Sequence, residues 1–235
     1  MLDWLSQPID LSRAHEVGPY LSWHARFMVV AWSFLVPFGI LFARFFKVWP
    51  GQKWPFQLDD QRWWILHRVL QYTAATLTLL ALILIWMSPR AGIISGPHGF
   101  IGWTVLALLA VQVFSGLLRG TKGGPTDTHL RGDHFDMTFR RLVFEYTHKF
   151  AGYVAFGAAI CASLTGLWQS NAPMWMWGVL IPWWAVLIIV FFVLQRRKGV
   201  IDTYQSIWGD DPSYPGNRKK PIGFGIRQMR KGPGE

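Results

Sequence analysis

Five long stretches nearly free of charge dominate the chain: residues 27–43, 63–87, 99–118, 150–168 and 174–194, the second interrupted only by His67 and Arg68. A helix needs roughly 20 apolar residues to cross a bilayer, so each stretch predicts one transmembrane helix. Together they take up more than two fifths of the 235 residues, and the stretches between them are too short to leave room for a soluble catalytic domain. None of them alternates polar with apolar residues, which argues against an outer-membrane barrel. Charged residues make up only 15%, against roughly 25% in a soluble domain. The predicted fold is all-α and integral to the lipid bilayer, with five transmembrane helices.

The basic residues sort by side. An odd number of spans puts the two termini on opposite faces. The N-terminal face carries Arg13, Arg26 and Arg90, and the other face carries the remaining 20 of the 23 Lys and Arg. Positive charge collects in short cytoplasmic loops, so the C-terminal face is predicted to be cytoplasmic and the N-terminus outside. The membrane expected is a bacterial inner membrane. This distribution accounts for the net charge of +10 without a nucleic-acid partner. Trp23, Trp49, Trp54, Trp63, Trp64, Trp168, Trp175 and Trp177 fall near the ends of the runs, where interfacial aromatic belts form. Trp32 and Trp103 lie deeper and call for packing partners. The first 20 residues hold Asp3, Asp10, Arg13, His15 and Glu16 and no unbroken apolar core, so they read as an amphipathic lead-in and not as a signal peptide. Pro37 is expected to kink the first span. The loop at 119–139 is long enough to suggest function or docking. Residues 199–235 read as a basic, partly ordered tail. Cys161 is the only cysteine, which excludes an intrachain disulfide, a Cys-ligated iron–sulfur cluster and c-type haem attachment.

Four of the seven histidines belong to membrane segments: His24, His67, His98 and His148. Ionisable groups there are costly and functional by default. His24 precedes Arg44 by 20 residues and His98 precedes Arg119 by 21. At 1.5 Å per residue both lie roughly 30 Å from the C-terminal face. The second and fourth helices run the other way. His67 follows Arg62 by 5 residues and His148 follows Arg141 by 7, which places both about 8–10 Å inside that face. Two histidines facing each other at one depth form an axial pair for a six-coordinate haem iron. Two such pairs predict two non-covalent haem b groups, each held by two histidines, roughly 20 Å apart. His24 and His98 form the pair on the periplasmic side, and His67 and His148 the cytoplasmic one. Zinc fits less well, because it takes four ligands in one tetrahedron.

Gly102 and Gly152 each follow a histidine by four residues, the position beside it on the same helix face. Glycine there lets a macrocycle approach the backbone, and it is equally common in plain membrane-helix packing. Arg68 and Lys149 directly follow two of the proposed ligands. With Arg44 and Arg131 they are candidate contacts for haem propionates or an anionic substrate; Arg68 and Lys149 also suit snorkelling to the cytoplasmic face. His129 and His134 read as loop histidines.

Residues 23–47, WHARFMVVAWSFLVPFGILFARFFK, resemble the first core helix of the eukaryotic-type cytochrome b561 family, in the form found beside DOMON domains. The motif is carried by His24, Ala31, Trp32, Pro37, Gly39 and Arg44. WILHRVLQ at 64–71, HGFIGWTVLALLAVQVFSGLLRG from His98 and FEYTHKFAGYVAFGAAICASLTGL at 144–167 are similar to its second, third and fourth helices. The resemblance implies a four-helix bundle over residues 21–170 that binds two b-type haems, with His24 opposite His98 and His67 opposite His148. It leaves residues 1–20 as a lead-in, 171–198 as a fifth helix and 199–235 as the tail. It also implies transfer of single electrons across a membrane, as in ascorbate-dependent or ferric reductases. Where ascorbate-linked members carry a longer basic signature and an SLHSW-like motif, this chain has ARFFK and GPHGF.

The first functional reading is therefore transmembrane electron transfer with a small-molecule or protein donor and acceptor. Single-electron steps need no proton-transfer residue, which suits a chain without a paired catalytic carboxylate. The alternative is a quinol-linked haem b anchor that docks a partner oxidoreductase. A homodimer or a separate redox partner is compatible with either. The third reading, a scaffold or transporter, lacks the matching broken helices and inverted repeat such folds carry.

Overall fold

The computed structural model describes residues 3–89, 96–197 and 199–229. Arg90 and Lys198 of the charge count, residues 1–2 of the lead-in and residues 230–235 of the tail lie outside the described residues. Five helices are long and apolar enough to cross a membrane: α1 (Pro19–Phe45), α2 (Arg62–Met87), α3 (Pro97–Leu117), α4 (Phe139–Gln169) and α5 (Met174–Arg197). Other regular structure is short. It comprises turns of helix at Asp3–Ser6 and Asp133–Asp136, helix α6 (Thr203–Trp208), a 3-10 turn at Pro215–Arg218 and a parallel pairing of β1 (Val200–Ile201) with β2 (Ile226–Arg227). The protein is an all-α integral membrane protein.

Helices α1 and α4 begin before their apolar runs. The added turns of α4 carry Arg141, Glu145 and Lys149, four residues apart, and the Glu145 carboxylate pairs with Arg141 through one oxygen and Lys149 through the other. Ion pairs at this spacing support a helix, so a charged stretch extends α4 beyond the point where hydropathy starts it. The long loop lies where it was expected, between Leu117 and Phe139, and holds one turn of helix at Asp133–Asp136. It is also pinned, by Lys122 Nζ on Asp59 Oδ2 at 2.5 Å and by the Thr121 amide on Asp133 Oδ2 at 2.9 Å.

The chain divides into two compact units. The first is built from Met1–Gly39, Val69–Leu109 and Val154–Phe191. Its buried positions are mostly small: Ala31, Ala74, Thr78, Ala81, Ala155, Ala159 and Ala162. Large apolar residues such as Ile83, Phe100, Val179 and Ile189 are exposed. Small residues inside and large ones outside is the pattern of helices packed in lipid, where close backbone approach drives association. Trp32 is buried and donates to Thr78 Oγ1 at 3.1 Å, whereas Trp103 is half exposed.

The expected effect of Pro37 takes a specific form. A turn of π-helix, Val30–Leu35, ends just before it. Pro37 has no N–H to offer the Ser33 carbonyl four residues back. That carbonyl accepts from Trp183 Nε1 at 2.7 Å, and Ser33 Oγ pairs with Trp184 Nε1 at 3.2 Å. The ring of Trp183 stacks on Phe34. A break in one helix thus becomes an attachment point for α5. The lead-in is tied down differently from an amphipathic surface helix. Residues 7–18 are non-helical, and the buried Asn171 donates to the carbonyls of Asp10 and Arg13 at 2.9 and 2.6 Å.

The second unit comprises Ile40–Arg68, Ala110–Tyr153 and Phe192–Glu235. Its apolar centre is Met137, Tyr204, Ile207, Trp208 and Ile222, flanked by Phe135, Leu142 and Tyr214. Most of these residues come from the segment expected to be a partly ordered tail, so that expectation is corrected: α6 is buried along its whole length. The basic character of the segment concealed its apolar residues, which are too few and too scattered to form a run. Its backbone is fastened by Arg44 Nη2 to the Phe224 carbonyl at 2.6 Å, Lys149 Nζ to Ile222 at 2.8 Å and Gln195 Nε2 to Gly225 at 2.9 Å.

Candidate functional site

Each unit contains one pair of facing histidines. In the first, His24 of α1 and His98 of α3 have ring centroids 6.3 Å apart and planes crossed at 86°. His24 Nδ1 lies 3.0 Å from the Ala81 carbonyl and His98 Nδ1 lies 2.9 Å from that of Ala162. A carbonyl can only accept, so each Nδ1 carries the proton and each Nε2 keeps its lone pair. A carbonyl oxygen has two lone pairs and can serve a helical N–H and an imidazole together. Both acceptors belong to alanines, whose side chains leave room for the ring. Gly166 continues this surface one turn beyond Ala162. A Cβ there would stand 3.0 Å from His98 Cε1.

In the second unit, His67 of α2 and His148 of α4 also stand 6.3 Å apart, with planes at 71°. His148 Nδ1 pairs with Ser115 Oγ at 3.0 Å, and Ser115 Oγ donates to the Gln112 carbonyl at 3.2 Å. With its hydroxyl hydrogen committed, Ser115 accepts from His148, which leaves that Nε2 lone pair free as well. Gln112 Nε2 donates to the His148 carbonyl at 3.1 Å. The Trp64 ring stacks against His67, and the Arg119 guanidinium lies 4.0 Å over Trp64.

The spacing can be tested against a metal. An ion bound on both sides by imidazole nitrogen at about 2.0–2.1 Å, with about 1.1 Å from nitrogen to ring centre, needs ring centres about 6.3 Å apart. Both pairs match. Among the described residues no three His, Cys, Asp or Glu side chains come together to hold a metal ion. A facing pair of imidazoles with no third ligating side chain would suit an iron carried by a macrocycle. Gly102 has open space where a Cβ would be, whereas Gly152 packs against Gln112; only the first leaves room beside its histidine.

The other candidate residues are engaged with protein groups. Arg44 is buried and donates to Tyr153 Oη, Gln195 Oε1 and the Phe224 carbonyl. Lys149 pairs with Glu145 and Ile222. Arg68 is exposed and lies against Trp64. Arg131 pairs with Asp136 at 3.3 Å on the surface. Sequence reasoning missed Ala81, Ala162, Gly166, Gln112 and Ser115, the groups that orient the rings. It also read His134 as a loop histidine, and His134 is buried.

Spanning helices that bring two pairs of histidines face to face define the class, a helical membrane protein with two facing histidine pairs. The chain belongs to the family described as eukaryotic cytochrome b561, which matches residues 23–174, and membership implies that it binds haem b. It is 31% identical over 212 residues to ferric-chelate reductase 1 of Bos taurus and 30% identical over 168 residues to ferric-chelate reductase 1 of Homo sapiens. It is 27% identical over 152 residues to a cytochrome b561, DM13 and DOMON domain-containing protein of Arabidopsis thaliana. These matches cover 83%, 70% and 65% of this chain but only 32%, 25% and 15% of the relatives' lengths. No solved structure matches the chain. None of these relatives is named as a quinol-linked anchor, so that alternative is not favoured. They come from animals and a plant, and give no support to a bacterial inner membrane.

Proposed function

We propose that the chain holds two b-type haems, one between His24 and His98 and one between His67 and His148, and passes single electrons across a membrane from a reductant on one face to an acceptor on the other. The observation that carries this reading is the common 6.3 Å ring spacing in two separate pairs, joined to Nδ1 partners that turn the free nitrogens of His24, His98 and His148 to the iron. The bound groups supply reversible one-electron chemistry. The protein's residues supply axial nitrogen, fixed ring tautomers and a low-dielectric surround, the levers that set haem potentials. The C-terminal face, which collects the basic residues, is the cytoplasmic one in this reading, and the N-terminus lies outside. A ferric chelate is the acceptor class carried over from the names of the relatives.

The test is a reduced-minus-oxidised spectrum with a haem assay on purified protein. Two haem b per chain are expected, with one retained in His67→Ala and one in His98→Ala. A folded wild-type protein without haem would overturn the reading.

A further inference from the structure

A cavity lies under the C-terminal segment of the second unit. It is lined by His134, Met137, Glu145, Asp202, Tyr204, Gly216, Lys220, Pro221 and Ile222. The space is small, on the order of one water molecule. His134 is 1% exposed, and its Nδ1 has no hydrogen-bond partner among the described residues. A buried imidazole nitrogen without a partner is costly, and native proteins commonly satisfy such a group with an ordered water. The ring is held in place on its other sides. Its backbone N–H donates to the Thr121 carbonyl at 3.1 Å, and its edge meets Tyr204 at 5.5 Å. Lys220 lines the same cavity and is exposed, so the cavity wall reaches solvent.

Glu145 connects this cavity to the histidine pair. It lines the cavity and precedes His148 by three residues on α4, which puts the two on one helix face. We propose that His134 is a redox-linked proton site: when the haem held by His67 and His148 is reduced, His134 takes up one proton from solvent through a water in this cavity. The proposal rests on the two-haem reading above. The balance is simple. The donor supplies one electron, bulk water supplies one proton, the proton adds to a lone pair of the His134 imidazole, and no bond of the protein breaks.

The charges around His134 set the direction. From α4 it is faced by Arg141, Glu145 and Lys149, and from the preceding loop by Lys122. Asp202, Tyr204 and Lys220 face it across the cavity, and Asp133 and Asp136 share its own turn. Burial, with the Arg141 charge next in weight, keeps the imidazole well below its ordinary range, hence neutral near pH 7. Removing one positive charge beyond Glu145 eases that penalty and draws a proton in.

The experiment is a potentiometric titration of the full-length holoprotein in nanodiscs over roughly pH 5 to 8, following both haem bands. One haem should show a potential that falls with pH, approaching about 59 mV per unit for a tenfold change in a one-electron equilibrium. His134→Gln should keep two haems and remove that slope. If His134→Gln does not fold, the wild-type protein still decides the matter. Reduction must take up protons in weakly buffered medium and raise an imidazolium band in a histidine-labelled infrared difference spectrum. Two haems with flat potentials, a slope that survives in His134→Gln, or reduction without proton uptake would each overturn the proposal and leave the two-haem reading intact. Absence of haem would overturn both.

Discussion

Gly166→Ala tests whether the imidazole of His98 is held where its Nδ1 meets the Ala162 carbonyl. The added Cβ would lie 3.0 Å from Cε1 and 3.1 Å from Nδ1 of His98. Carbon atoms rest near 3.5–4.0 Å, so the ring must withdraw by about 0.5 Å. Its bond to Ala162 is 2.9 Å long, and the same shift would carry it to about 3.4 Å, past the hydrogen-bonding range. Loss of a partner that orients a metal-binding histidine typically costs 10–100-fold in affinity, which is about 1.4–2.7 kcal/mol. The fold should survive, because alanine is favoured over glycine within a helix by about 0.8–1.0 kcal/mol. On the two-haem reading proposed above, the assay is haem transfer to a scavenger such as apomyoglobin, with each haem followed by its own potential. One haem is expected to leave 10–100-fold more readily while the one between His67 and His148 keeps its wild-type behaviour. Wild-type retention of both would refute the argument, since the ring would then have room that this geometry denies it.

Two further outcomes follow from groups in or beside the spans. Trp183→Phe strips the Ser33 carbonyl of its indole donor and should destabilise the protein by about 0.6–1.7 kcal/mol in mixed-micelle unfolding; Pro37→Ala restores a helical N–H to that carbonyl, and an undiminished cost in that background would contradict the account. Lys47, just past the end of α1, is buried and donates to the Ile201 carbonyl, and burial with the Lys149 charge alongside lowers its ammonium to about 7 from 10.5. The unfolded chain then binds more protons between those values, so stability should rise with pH from about 7 to 10.5, and Lys47→Met should flatten that rise in thermal melts across the same range.

The five spans were legible because hydropathy acts over 20 residues and needs no knowledge of neighbours. The start of α4 was not, because Arg141, Glu145 and Lys149 interrupt the apolar run, and only their pairing along one face shows that the helix already includes them. The histidine pairs could be read from helix rise and loop charge alone. What orients the rings could not. Ala81 and Ala162 contribute backbone carbonyls, a group every residue has, and nothing in an alanine announces that an imidazole will reach past it. Ser115 and Gln112 sit in an apolar helix where a polar residue is only a hint. The C-terminal segment was hidden for a related reason: side chains far away in the chain hold its backbone carbonyls, and such acceptors carry no sequence signature.

Those long-range bonds have a consequence for the order of synthesis. Arg44 is made early, yet its partner carbonyl at Phe224 is 180 residues further on. At about 5–20 residues per second that is roughly 10 to 35 s of translation. During that interval the acceptors of the Arg44 guanidinium appear one after another, Tyr153, Gln195 and Phe224 lying 109, 151 and 180 residues on. The guanidinium must stay hydrated at the membrane surface until they arrive, a place where long basic side chains can hold their charge in water. One side chain thus meets two environments in turn: first water, and later the interior, where it closes the unit that the last segments of the chain complete.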